Sequence, residues 1–403
     1  MEWKLKDLTV DGKGSYGIGA SAVPYQEDKL TYLRITDIND DGSLNFSDLK
    51  SVDAEDAEKY ILKENDIVFA RTGNSTGRSY FYEKQHGTFV YAGFLIKFSL
   101  DPNKVNPRIL KYYTHSKPYY DWVSSFDTGA TRGNINAKTY GDMEIELPSR
   151  KIQNRIVSIL SSLDRKIELN NKINADLEEM AQAIFKNWFV DFEPFKDGKF
   201  VDSELGMIPE GWKVGTLGEF CKCLLGGTPS RSKEEYWNGE VNWINSGEIN
   251  KFRILEASEK ITELGLAKSA TKLLPKKTTV LAITGATLGQ VSLLEIDTCA
   301  NQSVIGVLEN TEVPYEYIYP FIKDRIEMLI QHQTGGAQQH INKDNVESLI
   351  FLLPTINVLE DYISLVSPMY KRIESQCFEN LYLSLLRDTL LPRLMSGEIE
   401  IPE

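Results

Sequence analysis

The stretch from residue 151 to residue 191 constrains the fold most strongly, because its apolar residues follow one helical repeat along the whole length. Steps of four and three residues alternate along this seam, which consists of Ile156, Leu160, Leu163, Ile167, Asn170, Asn174, Leu177, Ala181 and Ile184. Such alternation is typical of a coiled coil. No Pro or Gly interrupts the stretch. We therefore predict one long helix, with a seam of about 42 Å that requires a partner surface.

A second copy of the pattern lies 206 residues further along the chain. The matching positions are Tyr362, Val366, Met369, Ile373, Gln376, Asn380, Leu383, Arg387 and Leu390. The same offset holds outside the helices, where it relates Thr128 to Thr334, Asn136 to Asn342 and Pro148 to Pro354. The chain is therefore predicted to be an internal duplication, in which a globular half and a long helix each occur twice.

Both seams carry polar residues at their middle, where apolar residues are expected. If the helices run antiparallel, Asn170 and Asn174 meet Gln376 and Asn380. Polar groups at central seam positions fix the register of a coiled coil at some cost in stability. Our hypothesis is that these four residues lock one antiparallel register. The alternative, that they face solvent or another subunit, stays open from the sequence alone.

These patterns predict an α+β fold with two similar mixed α/β domains, joined by two long antiparallel coiled-coil helices. The predicted segments are a first domain (1–150), a first long helix (151–191), a linker (192–215), a second domain (216–355), a second long helix (356–397) and a C-terminal tail (398–403). Because proline disrupts helix interiors, we expect the second helix to kink or begin near Pro368 and to end at Pro392 and Gly397.

Composition limits the class of protein. No apolar run approaches the roughly 20 residues of a membrane span, and the N-terminus lacks the apolar core of a signal peptide, so the prediction is cytoplasmic. The scattered cysteines Cys221, Cys223, Cys299 and Cys377 fit neither a disulfide framework nor zinc-ligand spacing. We predict no metal. The net charge of −13 by itself argues against a nucleic-acid partner.

Two loops in each half nevertheless have the composition of a DNA-contacting surface. They span residues 70–81 and 126–140 in the first half, and residues 279–294 and 332–354 in the second. Glycine allows close backbone approach, Arg, Asn and Gln suit guanine and adenine edges, and Ser and Thr reach phosphates. The glycines match between halves, but the polar residues between them differ. Ordinary hairpin turns with solvated side chains remain the alternative for either loop alone.

No catalytic constellation is recognisable in the sequence. A GxxxxGK[ST] phosphate-binding loop is absent. The run from Ser367 to Tyr370 resembles the SPPY-type motif of amino-methyltransferases, but it lacks the second proline and lies on the seam helix. The motif search therefore yields no catalytic site, and a methyltransferase or nuclease carrying a degenerate motif is kept as a rival interpretation.

Three stretches carry a resemblance to a known family. They are AQAIFKNWFVDFEPF (181–195), DSELGMIPEGW (202–212) and LLPRLMSGEIEI (390–401). In their order and places they resemble the specificity subunit of a Type I restriction–modification system. The resemblance implies that each half is a target recognition domain reading one part of a bipartite, asymmetric sequence in double-stranded DNA. It also implies two methyltransferase subunits docked on the helices, which carry S-adenosylmethionine, and motor-nuclease restriction subunits. The resemblance further implies that the chain itself has no catalytic activity, in agreement with the motif search, and no cofactor.

The family has no fixed motif for base contacts, so the candidates come from the loops. They are Arg71, Thr72, Asn74, Arg78, Arg132 and Asn134 in the first half, and Ser230, Arg231, Thr284, Thr287, Gln338, Gln339 and His340 in the second. The acidic excess is expected on the helix faces and outer surfaces, with partner subunits neutralising much of the phosphate charge. The alternative function is a coiled-coil assembly scaffold without DNA specificity of its own.

Overall fold

The computed structural model describes residues 2–126, 133–331 and 340–399. The chain divides into two compact units. Unit 1 comprises Met1–Lys166 and Leu383–Glu403, and unit 2 comprises Ile167–Tyr382. Each unit contains a globular domain and a stretch of both long helices. Among the described residues, no helix combines the length and apolar character that crossing a bilayer requires.

In the first half, the described residues form ten strands and three short helices before the first long helix. Its strands are β1 (Glu2–Lys4), β2 (Ser15–Tyr16), β3 (Ala22–Pro24), β4 (Thr31–Leu33), β5 (Lys50–Val52), β6 (Asp66–Ala70), β7 (Ser79–Phe81), β8 (Phe89–Tyr91), β9 (Leu95–Ser99) and β10 (Glu144–Glu146) among the described residues. Its helices are α1 (Arg108–Tyr113), α2 (Lys117–Ser124), α3 (Ala137–Gly141) and the long α4 (Arg150–Phe189).

The second half repeats this plan. Its strands are β11 (Phe200–Ser203), β12 (Gly206–Pro209), β13 (Lys213–Thr216), β14 (Lys222–Leu225), β15 (Trp237–Ile244), β16 (Glu259–Ile261), β17 (Leu273–Leu274), β18 (Thr279–Ala282), β19 (Val291–Leu293), β20 (Thr298–Ala300), β21 (Val304–Leu308) and β22 (Ile350–Leu353). Its helices are α5 (Leu217–Phe220), α6 (Glu263–Ala267), α7 (Tyr315–Gln331), α8 (Lys343–Glu347) and the long α9 (Ile356–Met395).

The sheets confirm the internal duplication. Unit 1 has four-stranded sheets of order β2-β9-β6-β7 and β3-β5-β4-β8, and a β1-β10 pair. Unit 2 has β14-β21-β18-β19, β16-β15-β20-β17 and a β13-β22 pair. The second sheets differ at their edges, where β3 extends one side in unit 1 and β17 extends the other in unit 2. Unit 2 also contains the β11–β12 pair, which has no counterpart among the described residues of unit 1. The parallel pair β4–β8 has its counterpart in β15–β20.

The long helices have nearly the predicted bounds, and each contains 40 residues. Pro368 and Pro392 both lie inside α9 rather than at its ends, so the prediction that Pro392 ends the helix is wrong, and the helix does not begin at Pro368. Both prolines are exposed, so the carbonyls that lose their helical partners can bond water while the seam holds the helix. The helix ends just before Gly397, which has a φ of +75°.

The segment predicted as a linker has structure of its own. Strands β11 and β12 form an antiparallel hairpin. Trp212 packs its ring 5.1 Å from that of Phe195 and 5.8 Å from that of Phe189, at the end of α4. The sequence does not predict this hairpin, because its apolar residues Val201, Leu205 and Met207 are exposed and so do not follow the alternation of a half-buried strand.

Within unit 2, the central polar residues of the two seams contact one another. The side-chain amide of Gln376 donates to the Oδ1 of Asn170 at 3.0 Å, and that of Asn170 donates to Asn380 at 2.8 Å. Asn174 lies beside them, with its Nδ2 3.5 Å from the Sγ of Cys377. Asn170, Asn174 and Gln376 are all buried. In a seam whose other positions are mostly apolar, these directional bonds favour the antiparallel alignment in which the amides meet.

Replacing one of these amides alone should destabilise unit 2. In Asn170→Leu the buried amide of Gln376 loses its acceptor, which should lower the free energy of unfolding by about 1–3 kcal/mol. Asn170→Leu combined with Gln376→Leu removes both polar groups and should recover most of that loss. Urea unfolding of the two variants and of the unsubstituted chain measures both values. A double variant as unstable as the single one would contradict the coupling.

Within unit 1, a carboxylate of α4 joins both α9 and the globular domain. Asp164 accepts from the Nη1 of Arg387 at 3.1 Å, from the hydroxyl of Tyr112 at 2.9 Å and lies 3.1 Å from the Nζ of Lys111. Burial raises the pKa of Asp164, but the charges of Lys111 and Arg387 outweigh it and hold the pKa below its ordinary value. The ionised carboxylate therefore stabilises unit 1.

This stabilisation should depend on pH. Because the folded pKa of Asp164 is depressed, its contribution is complete above the unfolded pKa of about 3.9 and is lost as pH falls through the folded pKa. The difference in free energy of unfolding between the unsubstituted chain and Asp164→Asn should thus be largest near neutral pH and shrink in acid. Asp388→Asn, which removes an exposed partner of the same Arg387, is the control. The assignment would be contradicted if Asp164→Asn lowered the free energy of unfolding by the same amount in acid as near neutral pH.

Candidate nucleic-acid interface

The first candidate loop has the same backbone in both units. It connects β6 to β7 in unit 1 and β18 to β19 in unit 2, and each copy contains one short 3-10 turn. Gly73 and Gly77 have φ values of +74° and +87°, and their counterparts Gly285 and Gly289 have +72° and +85°. Only glycine adopts this region at little cost, so these glycines maintain the loop shape.

The second candidate loop is bonded to the first in both units. In unit 1 the backbone N–H of Ile135 donates to the carbonyl of Arg71 at 3.0 Å, and in unit 2 that of Ile341 donates to Ile283, also at 3.0 Å. The hydroxyl of Thr76 adds a bond to the carbonyl of Gly133 at 2.9 Å. The two loops of each unit therefore form one surface, which we call the loop pair.

A helix cap holds the second loop in the same place in each unit. The side chains of Asn136 and Asn342 accept from the backbone N–H groups of Thr139 and Asn345, at the beginnings of α3 and α8. These asparagines are related by the 206-residue offset. The cap is a standard use of Asn at a helix N-terminus.

Two aromatic residues complete the loop pair of unit 1, and sequence reasoning missed both. The carbonyl of Phe94 accepts from the backbone N–H of Arg71 at 3.1 Å. The guanidinium of Arg71 lies over the ring of Tyr16, 5.2 Å from its centroid. The Tyr16 hydroxyl in turn accepts from the backbone N–H of Ala137 at 3.0 Å. Sequence gives little signal for this arrangement, because Tyr16 and Phe94 are distant from the loops along the chain.

The structure describes five of the six predicted first-half residues. Arg71 and Thr72 are half-buried in the loop pair, whereas Asn74 and Asn134 are exposed on it. All four lie within segments that the loop-pair bonds bring together. Arg132 lies outside the described residues.

The sixth first-half candidate, Arg78, has partners within its own domain. Its Nε donates to the carboxylate of Asp40 at 2.7 Å, and its Nη1 donates to the carbonyl of Ile38 at 3.0 Å. These bonds occupy two sides of the guanidinium. Its role in DNA contact stays a prediction, and the structure gives it a packing role as well.

The predicted second-half residues belong to the two candidate loops and to a separate segment after β14. Thr284 and Thr287 are half-buried on the first loop, and His340 is exposed on the second. Gln338 and Gln339 lie outside the described residues. Unlike unit 1, this loop pair has Ile283 at the position of Arg71.

Arg231 and Ser230 lie on a separate segment after β14. The Arg231 guanidinium stacks on the ring of Trp237, 3.6 Å from its centroid, and forms an ion pair with Glu259. The hydrogen bond between them raises the pKa of Arg231 and lowers that of Glu259. Ser230 lies at the surface, 2.9 Å from the hydroxyl of Ser232. Neither the tryptophan nor the glutamate was predicted.

That segment is tied to the loop pair of unit 2. The hydroxyl of Thr228 donates to the side chain of Gln302 at 2.5 Å. The next residue, Ser303, accepts the backbone N–H of Ile283 through its carbonyl at 2.9 Å. Candidate residues from distant parts of the sequence are thus connected through two bonds.

Charge is distributed differently from the expectation. The helix α4 carries seven Lys and Arg residues against five Asp and Glu, and α9 carries four against five. The long helices are thus almost neutral, and the acidic excess lies in the globular halves, their connection and the tail. The expectation that helix faces carry much of it is wrong.

The first loops are free of carboxylates despite this acidic background. Residues 67–82 contain Arg71 and Arg78 but no Asp or Glu, and residues 278–294 contain no charged residue. A polyanion approaching these loops therefore meets no fixed negative charge on them.

The described parts of the chain contain no cluster of three His, Cys, Asp or Glu side chains arranged to hold a metal ion.

Comparison with known proteins matches this architecture. One family model, described as the Type I restriction modification DNA specificity domain, matches the chain twice, over residues 6–179 and 209–376. The chain belongs to this family. The two matches coincide with the two copies seen in the sheets, and they confirm the resemblance found in the sequence.

Several specificity subunits are similar to this one. That of Type I restriction enzyme MjaIX, from Methanocaldococcus jannaschii, is 28% identical over 299 residues, which cover 73% of this chain and 69% of that protein. That of Type I restriction enzyme HindI, from Haemophilus influenzae, is 24% identical over 405 residues, covering 85% and 88%. The crystal structure of a Type I S subunit from M. genitalium shares the fold, with a TM-score of 0.57, 15% identity and coverage of 98% and 96%.

The two glycines of the first loop in unit 1 should respond differently to alanine. Both have a positive φ, so both incur backbone strain. A Cβ at Gly77 would lie 2.5 Å from the Cγ1 of Val123, whereas one at Gly73 would have nothing within 4 Å. Gly77→Ala should therefore lower the free energy of unfolding by about 1–3 kcal/mol more than Gly73→Ala. Urea unfolding of both variants measures this difference, and equal losses would contradict a packing role for Gly77.

Proposed function

We propose that this specificity subunit reads a bipartite, asymmetric sequence in double-stranded DNA, one part with each loop pair. The observation that carries the proposal is that the two loop pairs share one backbone conformation but carry different side chains. The glycine conformations and the inter-loop bond are the same in both units, yet Arg71 and Arg78 are replaced by Ile283 and Gln290. Two readers of the same shape with different contact groups suit two different half-sequences.

The types of side chain support DNA as the ligand. Arginine, asparagine and glutamine match base edges in the major groove, and hydroxyls and backbone N–H groups match phosphates. The first loops contribute no carboxylate of their own to the net charge of −13, so a polyanion meets less repulsion at these loops than an even charge distribution would cause. Since few cations lie on the loops, much of the phosphate neutralisation is assigned to partner subunits.

The same proposal assigns methyl transfer to partner subunits. Two methyltransferase subunits dock on the long helices and hold S-adenosylmethionine, and motor-nuclease restriction subunits join them. The chain has no catalytic role and no cofactor of its own. In support, the SPPY-like run at Ser367–Tyr370 lies within the interior of α9, and a continuous helix cannot form the loop that such a motif provides.

The test is methyl transfer by the reconstituted complex. The purified chain, its methyltransferase subunits and S-adenosylmethionine are incubated with a library of random duplexes, and methylated adenines are mapped by sequencing. The expected result is two short specified blocks separated by a spacer of fixed length and free sequence. Transfer should require both blocks and all the subunits.

Each other outcome rejects one part of the proposal. Transfer by this chain without partners would show that it is an enzyme. A single continuous block would reject bipartite reading. Formation of the complex with methylation that is independent of sequence would favour the alternative, an assembly scaffold without DNA specificity. An omission of the chain that leaves the sequence preference intact would place specificity in the partners.

A further inference from the structure

We propose that Arg71 reads a guanine in the first half-sequence, and that Phe94 contacts the methyl group of an adjoining thymine. This inference rests on the proposed function and deepens it for unit 1. It assigns a base class to a site formed by three separate segments, in which the Arg71 guanidinium lies over the Tyr16 ring and the Arg71 backbone is bonded to the carbonyl of the exposed Phe94. These are the segments containing Tyr16, Arg71 and Phe94.

The backbone of Arg71 is fixed on both sides. Its N–H donates to the carbonyl of Phe94 at 3.1 Å, and its carbonyl accepts from Ile135 at 3.0 Å. The side chain is restricted as well, because the guanidinium lies over the ring of Tyr16. A preorganised arginine loses less conformational entropy on binding, so more of its interaction energy remains for recognition.

Among the described residues, the guanidinium of Arg71 has no acidic partner. Its Nε is buried without a hydrogen-bond acceptor, and no ion pair or side-chain hydrogen bond joins Arg71 to any residue in the described ranges. The other two candidate arginines differ, since Arg78 pairs with Asp40 and Arg231 with Glu259. A half-buried cation without an acceptor is costly, and an external acceptor would offset that cost. Arg71 is thus available to a ligand, whereas Arg78 and Arg231 would have to release a carboxylate.

Guanine is the base that suits this group. Its N7 and O6 present two acceptors side by side in the major groove, which match the two donors of an arginine fork. A phosphate could also accept from the fork, but a phosphate contact carries no sequence information. The two ligands therefore predict different effects of substitution.

Phe94 lies on the turn between β8 and β9 and is 57% exposed. The turn is closed by the backbone bond from Leu95 to the carbonyl of Ala92 at 2.8 Å. Its carbonyl accepts from the backbone N–H of Arg71 at 3.1 Å, so an exposed phenylalanine and the arginine are joined by one backbone hydrogen bond. The thymine methyl is the apolar group that the major groove offers.

Unit 2 supplies a natural comparison. Strand pairing places Leu225 opposite Ile305 as it places Tyr16 opposite Ile96. The bond from Ile283 to Ser303 likewise corresponds to that from Arg71 to Phe94. Unit 2 therefore has Leu, Ile and Ser where unit 1 has Tyr, Arg and Phe. All three groups of the reader are lost together, while the backbone bonds remain, so Arg71→Ile and Phe94→Ser are substitutions that this backbone already accommodates once.

The experiment measures base preference in the complex with methyltransferase subunits. Duplexes are randomised one position at a time across the first half-sequence, and methylation rates are compared for the unsubstituted chain, Arg71→Lys, Arg71→Ile and Phe94→Ser. Preference for guanine at one position should fall about 5- to 150-fold in Arg71→Ile, and by less in Arg71→Lys, because lysine can still donate to guanine but lacks the planar fork. Preference for thymine over cytosine at a neighbouring position should fall roughly fourfold in Phe94→Ser. The second half-sequence should be unaffected.

Arg108→Lys, which alters an exposed arginine of α1 paired with Glu83, is the control and should keep the original profile. Thermal unfolding checks that each variant is folded, and Arg71→Lys keeps the charge if Arg71→Ile does not fold. A loss of rate that is equal for all bases in the Arg71 variants would identify a phosphate contact and overturn the inference. The inference would also be overturned if the first half-sequence preferred by the unsubstituted complex contained no guanine. Unchanged thymine preference would overturn the role of Phe94. Absence of any bipartite preference in the unsubstituted complex would instead reject the proposed function.

Discussion

Burial of the two long helices against the globular domains is the interaction on which the structure depends. The core of unit 2 includes Phe185 and Phe189 from α4 together with Tyr362 from α9. The core of unit 1 includes Leu160 from α4 and Leu391 from α9. An amphipathic helix of 40 residues gains most of its stability from such packing. Neither domain therefore has a complete core without both helices, and the duplicated sequence produces two duplicated cores.

The interface separates the function of backbone from that of side chains. Positive-φ glycines, the asparagine caps and the bond between the loops fix one surface in each unit. The side chains differ, with Arg71 over Tyr16 in unit 1 and the core residue Ile283 at the position of Arg71 in unit 2. A change at a displayed position alters chemistry with little effect on the loop shape, whereas a change at Gly77 meets Val123. This arrangement permits new specificities without a new fold.

Sequence alone predicted the architecture well, because the governing signals are periodic. The heptad seam gave both long helices, the 206-residue offset gave the duplication, and the central amides pointed to the antiparallel alignment that the fold has. The surroundings of the site were less accessible. The stacking of Arg71 on Tyr16, and of Arg231 on Trp237, depends on strand pairing between distant segments. The prediction that Pro392 ends α9 was wrong because helix propensity does not take into account that this proline faces solvent. The position of the acidic excess was also wrong, since total charge contains no information about its distribution.

The two units differ in how they are assembled from the chain. Unit 2 is one continuous segment, whereas unit 1 needs residues from both ends, and Leu391, Leu394 and Ile399 pack in its core. During synthesis, unit 2 can therefore complete its core while unit 1 still lacks part of its own. The apolar surface that these late residues cover stays open until they emerge from the ribosome. Translation speed and chaperone binding should consequently matter more for the N-terminal domain than for the C-terminal one.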